Sequence, residues 1–151
     1  MNLWLIGSGP MAKDYVRVLQ ALHKEFVVIG RGETSAQKFQ EKTGVPVMTG
    51  GLTEVLSSNS PPEIAIVAVG VEQLAPVTSA LIQAGTRRIL LEKPGGLNVS
   101  ELVDLSQLAV KCDKYNILVL EVILLVSSDD GKVIVSDPKS ASGKGGVPRE
   151  F

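Results

Sequence analysis

Cysteine and histidine are almost missing from this chain of 151 residues, each occurring once, as Cys112 and His23. A lone thiol excludes an internal disulfide and a cysteine-based metal cluster, and it fits a reducing compartment. Cys112 falls in an apolar helical pattern and is expected to be a packed thiol. A lone imidazole leaves no metal-ligand cluster and no Ser-His-Asp set to assemble. His23 closes a helical pattern and is expected to be a capping or surface residue. Charge of one sign is lacking too: 15 Lys and Arg stand against 16 Asp and Glu, which offers no bulk attraction to nucleic acid or anionic lipid. The longest apolar run, residues 117–126, is interrupted by Glu121 and is about half of the ~20 residues a membrane helix needs. The start, "MNLWLIGSGP", has no basic segment and meets Gly7 too early for a secretory signal. A cytoplasmic protein with neither membrane nor nucleic-acid partner is expected.

Apolar residues make up 44% of the chain and charged residues 21%, a composition suited to one core. Residues 3–6 form a continuous apolar run ending at Gly7, as in a strand buried on both faces. From residue 10 to about 22 the period changes, with Ala12, Tyr15, Val16, Leu19 and Leu22 on one helical stripe and Pro10 in the first turn. The alternation continues: a strand at 26–30, a helix at 34–44 closed by Gly44, a weaker strand at 45–50 and a short helix at 51–59. Then come a central strand at 63–70, a helix at 72–85 with Pro76 in its opening turns, and a strand at 87–94. Asn98 and Glu101 form an N-cap and capping-box signal for a helix through about Lys111, before the apolar run at 117. Such alternation predicts an α/β fold with a doubly wound, Rossmann-type parallel sheet.

The character changes near the end. Residues 1–126 are expected to form the Rossmann-type domain, and residues 127–151 a hairpin, turning at Asp130 and Gly131, followed by a flexible polar tail.

"GSGPMA", residues 7–12, matches G-x-G-x-x-A between the first strand and the first helix, the context in which this pattern binds a dinucleotide. Gly7 permits the sharp turn, Gly9 leaves room for a pyrophosphate, and Ala12 allows close helix packing. Gly7, Ser8, Gly9, Pro10 and Met11 are therefore the candidate phosphate cradle, aided by the free N–H groups of the helix start. An NAD enzyme usually places an acidic residue at the end of the second strand, roughly twenty residues on, to hold the ribose 2′-hydroxyl. Here Gly30 and Arg31 occupy that place. A guanidinium there can pair with a 2′-phosphate, with Thr34 or Ser35 adding hydroxyl donors. NADP is favoured, and Glu33 leaves NAD open.

"ILLEKPGGLN", residues 89–98, puts Lys93 at the end of a buried strand with Pro94 behind it. On the residues alone, this lysine is a catalyst, a cofactor ligand or a solvated edge residue. With "GSGPMA" on the first turn and "EKPGGLN" after a late strand, residues 1–120 resemble the nucleotide-binding domain of the Gfo/Idh/MocA oxidoreductases, which act mainly on sugars, sugar derivatives and cyclitols. The resemblance implies that Glu92 and Lys93 face the nicotinamide end. It also implies that Pro94 fixes the turn, through a cis peptide in one arrangement, and that Val69 and Gly70 line the cofactor cleft. Lys93 is then the candidate catalytic residue, an electrostatic or proton-transfer partner whose partial desolvation lowers its pKa.

The chain also departs from that family. Gly70 and Val71 replace a common Thr-Pro, and Leu74 falls where a histidine is usual. The second, substrate-binding domain of the family is not found in the roughly thirty residues after Leu120. A gene truncated or frame-shifted near Glu121 is favoured over a chain cut at a domain boundary and over a natural single-domain binder. The expectation is an NADP(H)-binding domain of a sugar- or cyclitol-type oxidoreductase that turns over poorly or not at all alone. A sugar-like substrate would need the second domain. The competing reading is a non-catalytic nucleotide-binding or interaction module. An uncovered sheet face or edge would favour a homo-oligomer.

Overall fold

In the computed structural model, side chains of the first strand, β1 (Leu3–Ile6), alternate between two separate cores. Leu3 and Leu5 enter one, Trp4 and Ile6 the other. This two-sided burial is why the run is continuously apolar rather than alternating. The structure describes residues 2–111, 118–121, 126–127 and 133–134.

After β1 the elements are α1 (Pro10–Ala21), β2 (Val27–Ile29), α2 (Glu33–Thr43), β3 (Val47–Met48), α3 (Gly51–Ser58), β4 (Ile64–Val67), α4 (Val71–Ala84), β5 (Arg88–Leu91), α5 (Val99–Lys111) and β6 (Leu118–Glu121). The six strands form one parallel sheet in the order β3-β2-β1-β4-β5-β6. This is the doubly wound Rossmann order expected from the alternating pattern. In register, Leu5 lies opposite Val28 of β2 and Ile66 of β4. Ala12, Val16 and Leu19 of α1 and Phe39 of α2 cover the Leu5 face. Leu52 of α3, Leu74 and Leu81 of α4 and Leu105 of α5 cover the Trp4 face. The winding reverses between β1 and β4, so their C-terminal ends open a crevice on the side where ligands bind in such sheets.

The helix ends show local chemistry at work. His23 adopts a left-handed φ of 51°; its N–H donates to Gln20 O at 3.0 Å, and that of Lys24 to Leu19 O at 2.9 Å. This is a Schellman closure, with His23 in the seat glycine usually takes. Leu22, expected on the buried stripe, is instead the C-cap of α1 and is 59% exposed. Turning the chain out of the helix at that residue removes it from the stripe. At α5, Asn98 Oδ1 accepts the N–H of Glu101 at 3.0 Å, and the Glu101 carboxylate accepts that of Leu97 at 2.7 Å. The capping signal is thus realised one residue further out than the standard box.

The chain divides into two compact units, Met1–Glu121 and Val122–Phe151. In the second, β7 (Val126–Ser127) pairs antiparallel with β8 (Val133–Ile134). The expected turn at Asp130 and Gly131, the tail beyond it and Cys112 lie outside the described residues. Among the described residues, no helix is long and apolar enough to cross a membrane.

Candidate functional site

The turn leaving β1 is packed to its limit on one side and open on the other. Gly7 has a φ of +124°, and a Cβ there would lie 2.1 Å from the carbonyl oxygen of Ala68. Its N–H donates to Ile29 O at 2.8 Å, so the turn is wedged between the ends of β2 and β4. Only glycine fits, on both conformational and steric grounds. Gly9 is the opposite case. Its φ of −86° suits any residue, and a Cβ would meet nothing within 4 Å. Among the described residues nothing demands glycine at position 9, whereas a ligand approaching the backbone would. Gly9 is also the N-cap of α1, and no side chain caps that helix, which leaves its first-turn N–H groups to an anion.

A cleft of about 520 Å³ opens here, above the C-terminal ends of β1, β2 and β4. Of the residues singled out in the sequence, Gly7, Ser8, Gly9, Pro10 and Met11 line it on the α1 side. Arg31 and Ser35 line it beyond β2, and Val69 and Gly70 beyond β4. Thr34, in the first turn of α2, is exposed and does not line the cleft; neither do Glu92 and Lys93.

The end of β2 is tightly built. A Cβ on Gly30 would lie 2.9 Å from Val47 Cγ1 and 3.2 Å from Ser8 Oγ, so no larger side chain fits there without displacement. Arg31 follows, exposed, with its aliphatic stem over Gly51. Gly50 and Gly51, both at positive φ, begin α3 and line the cleft with Leu52 and Thr53. These residues escaped the sequence reading, although a Gly-Gly pair directly after a strand could have signalled a tight turn at the sheet's ligand edge. The far wall was missed as well. Gln73, Pro76, Val77 and Ala80 form one face of α4, at helical spacing beside the stripe buried in the core. Leu74, where the family usually has histidine, belongs to that core stripe and is 1% exposed.

The second motif lies just after β5. The N–H of Glu92 donates to Val67 O at 3.1 Å, and that of Gly95 returns to Glu92 O at 2.9 Å. The Lys93-Pro94 peptide is cis. The Tyr15 hydroxyl of α1 donates to the Glu92 carboxylate. Burial, then this hydrogen bond and the adjoining negative charge, push the tyrosine well above its usual pKa. Lys93 itself is exposed, so the desolvation expected for it is not provided by this unit. Among the described residues, no three His, Cys, Asp or Glu side chains are placed to hold a metal ion.

Comparison with known proteins agrees with this geometry. Residues 1–119 match the Gfo/Idh/MocA family, described as an oxidoreductase family with an NAD-binding Rossmann fold. No curated protein matches the chain. Among solved structures, the WlbA dehydrogenase from Chromobacterium violaceum, in complex with NADH and UDP-GlcNAcA, is similar at 20% identity and a TM-score of 0.63. That likeness covers 74% of this chain and 32% of the other. Biliverdin reductase from Synechocystis sp. PCC 6803, with biliverdin and NADP+, gives 22% identity and a TM-score of 0.61, covering 74% and 35%. An oxidoreductase from Agrobacterium radiobacter, with NAD+, L-tartaric acid and magnesium, gives 12% and 0.66, covering 75% and 33%. The chain therefore spans about a third of the length of these structures.

Proposed function

This chain belongs to the Gfo/Idh/MocA oxidoreductase family, and on that footing we propose that it is the NADP(H)-binding domain of a hydride-transfer enzyme for sugar- or cyclitol-type alcohols and carbonyls. The observation that carries the cofactor reading is the open backbone at Gly9, at the uncapped start of α1. Gly7, Ser8, Gly9, Pro10 and Met11 shape the cradle there, and the free N–H groups at the start of α1, where Pro10 has none to give, hold the pyrophosphate together with the positive helix end. Val69 and Gly70 continue the cleft toward the Glu92-Lys93 turn.

The preference for the phosphorylated cofactor rests on the end of β2. An NAD site usually has a carboxylate there, but Gly30 has no room for one, and Glu33 is absent from the cleft lining. Arg31 lines the cleft instead. It binds a 2′-phosphate by charge-assisted hydrogen bonds, with Ser35 adding a hydroxyl and Thr34 a more distant one.

A bound nicotinamide supplies the hydride acceptor or donor. Lys93 Nζ eases loss or return of the substrate hydroxyl proton once a second domain brings a substrate against it. Alone, with Lys93 exposed, the domain binds cofactor and turns over little. The apolar side chains of Leu97, Val99, Leu102 and Val103 are exposed in and before α5 and support self-association through that face.

Titration of the wild type and Arg31→Ala with NADPH and NADH tests the assignment. Binding of NADPH that weakens by about tenfold or more in the variant, with NADH little changed, supports it. Equal effects on both cofactors remove Arg31 from the 2′-phosphate site.

A further inference from the structure

We infer that Gly51 determines cofactor selectivity, by giving the aliphatic stem of Arg31 a bare surface to lie on. The inference rests on the reading of Arg31 as the 2′-phosphate ligand and adds what holds that ligand in place. Arg31 is exposed, and a free arginine side chain loses much rotamer entropy on being fixed. Two backbone hydrogen bonds join its loop to the start of α3. The Gly51 N–H donates to Gly30 O at 2.9 Å, and that of Gly50 to Arg31 O at 3.3 Å. The loops after β2 and β3 therefore form one unit, with residues 31 and 51 facing each other.

A Cβ on Gly51 would lie 3.2 Å from Arg31 Cγ and 4.0 Å from Cδ, and among the described residues outside its own helix and chain neighbours these are the only atoms within 4 Å. Among the described residues, the glycine thus leaves room for the arginine stem alone. Both residues line the cleft. With the stem laid across Gly51, the guanidinium is limited to the adenosine end of the cleft and is partly pre-organised for a phosphate. A methyl group at 51 displaces the stem and loosens the placement of the guanidinium, which lowers affinity for NADPH and leaves NADH largely untouched.

Gly51 also has a φ of +80°, so an added side chain strains the backbone. Gly44 supplies the control: its φ is +73°, and a Cβ there meets nothing within 4 Å. NADPH and NADH affinities are measured by nicotinamide fluorescence for the wild type, Gly51→Ala, Gly44→Ala, Arg31→Ala and the Gly51→Ala/Arg31→Ala pair. The expected result is a loss of NADPH over NADH preference of about fivefold to tenfold in Gly51→Ala. Gly44→Ala should keep the wild-type preference, and Gly51→Ala should cause no further loss once Arg31 is removed. Gly51→Asn, better tolerated at positive φ, serves if the alanine variant does not fold. Wild-type selectivity in the Gly51 variants, with selectivity lost in Arg31→Ala, overturns the inference and leaves the Arg31 assignment standing. Unchanged selectivity in Arg31→Ala overturns both.

Discussion

The Tyr15 hydroxyl donates to the Glu92 carboxylate across 77 residues of sequence, joining the helix that starts at the glycine-rich turn to the turn that carries Lys93. Tyrosine can donate only while protonated. Its pKa is raised in the folded chain from an ordinary value of 10.0. The pair's contribution to stability is therefore complete below pH 10 and is lost as pH rises through the higher folded value. Urea unfolding between about pH 8 and about pH 11 should show a steeper alkaline loss for the wild type than for Tyr15→Phe. Tyr115 is present in both proteins, so the difference isolates Tyr15. Parallel profiles would mean that the hydrogen bond is not maintained in solution.

Gly7 and Gly9 should separate stability from binding. Gly7→Ala drives a methyl into Ala68 O at strained φ and is expected to cost about 3 kcal/mol in urea unfolding. Gly9→Ala should unfold within about 0.5 kcal/mol of the wild type yet bind dinucleotide about tenfold more weakly, because its methyl occupies the space of the pyrophosphate. Loss of stability in Gly9→Ala would show that position 9 serves the fold.

Lys93 is exposed and outside the cleft lining. Lys93→Met should leave unfolding within about 0.5 kcal/mol and cofactor affinity within about twofold. A large loss of NADPH binding would place Lys93 on the cofactor and not at the substrate.

The α5 face gives a further expectation. Val99 is 75% exposed and Leu97 57%. Size-exclusion chromatography of the wild type should show association that increases with concentration and is reduced in Val99→Lys. A clean monomer at high concentration contradicts the proposed self-association.

The sheet was legible because burial on both faces leaves a plain mark: β1 reads as four apolar residues in a row, and its glycine turn follows at once. The Asn98 cap was legible because its chemistry is local. What escaped depends on distant neighbours. Nothing near Tyr15 announces Glu92, and its place on an apolar helical stripe reads as ordinary packing. The seat for Arg31 is formed by Gly51, twenty residues later in the chain, and needs the parallel pairing of β2 with β3 to exist. The cleft face of α4, from Gln73 to Ala80, lies beside the buried stripe and carries apolar residues too, so periodicity alone cannot tell wall from core. Lys93 was expected to be desolvated because an apolar strand precedes it. That strand buries Ile89 and Leu91 and leaves Lys93, beyond its end, in solvent.

Calorimetric titration of the wild-type chain with NADP+ and NAD+ under identical salt tests the central claim most directly. The account predicts saturable binding of NADP+ at one site per chain, tighter than NAD+ by about tenfold or more. Absence of binding by either dinucleotide, or tighter binding of NAD+, would contradict it.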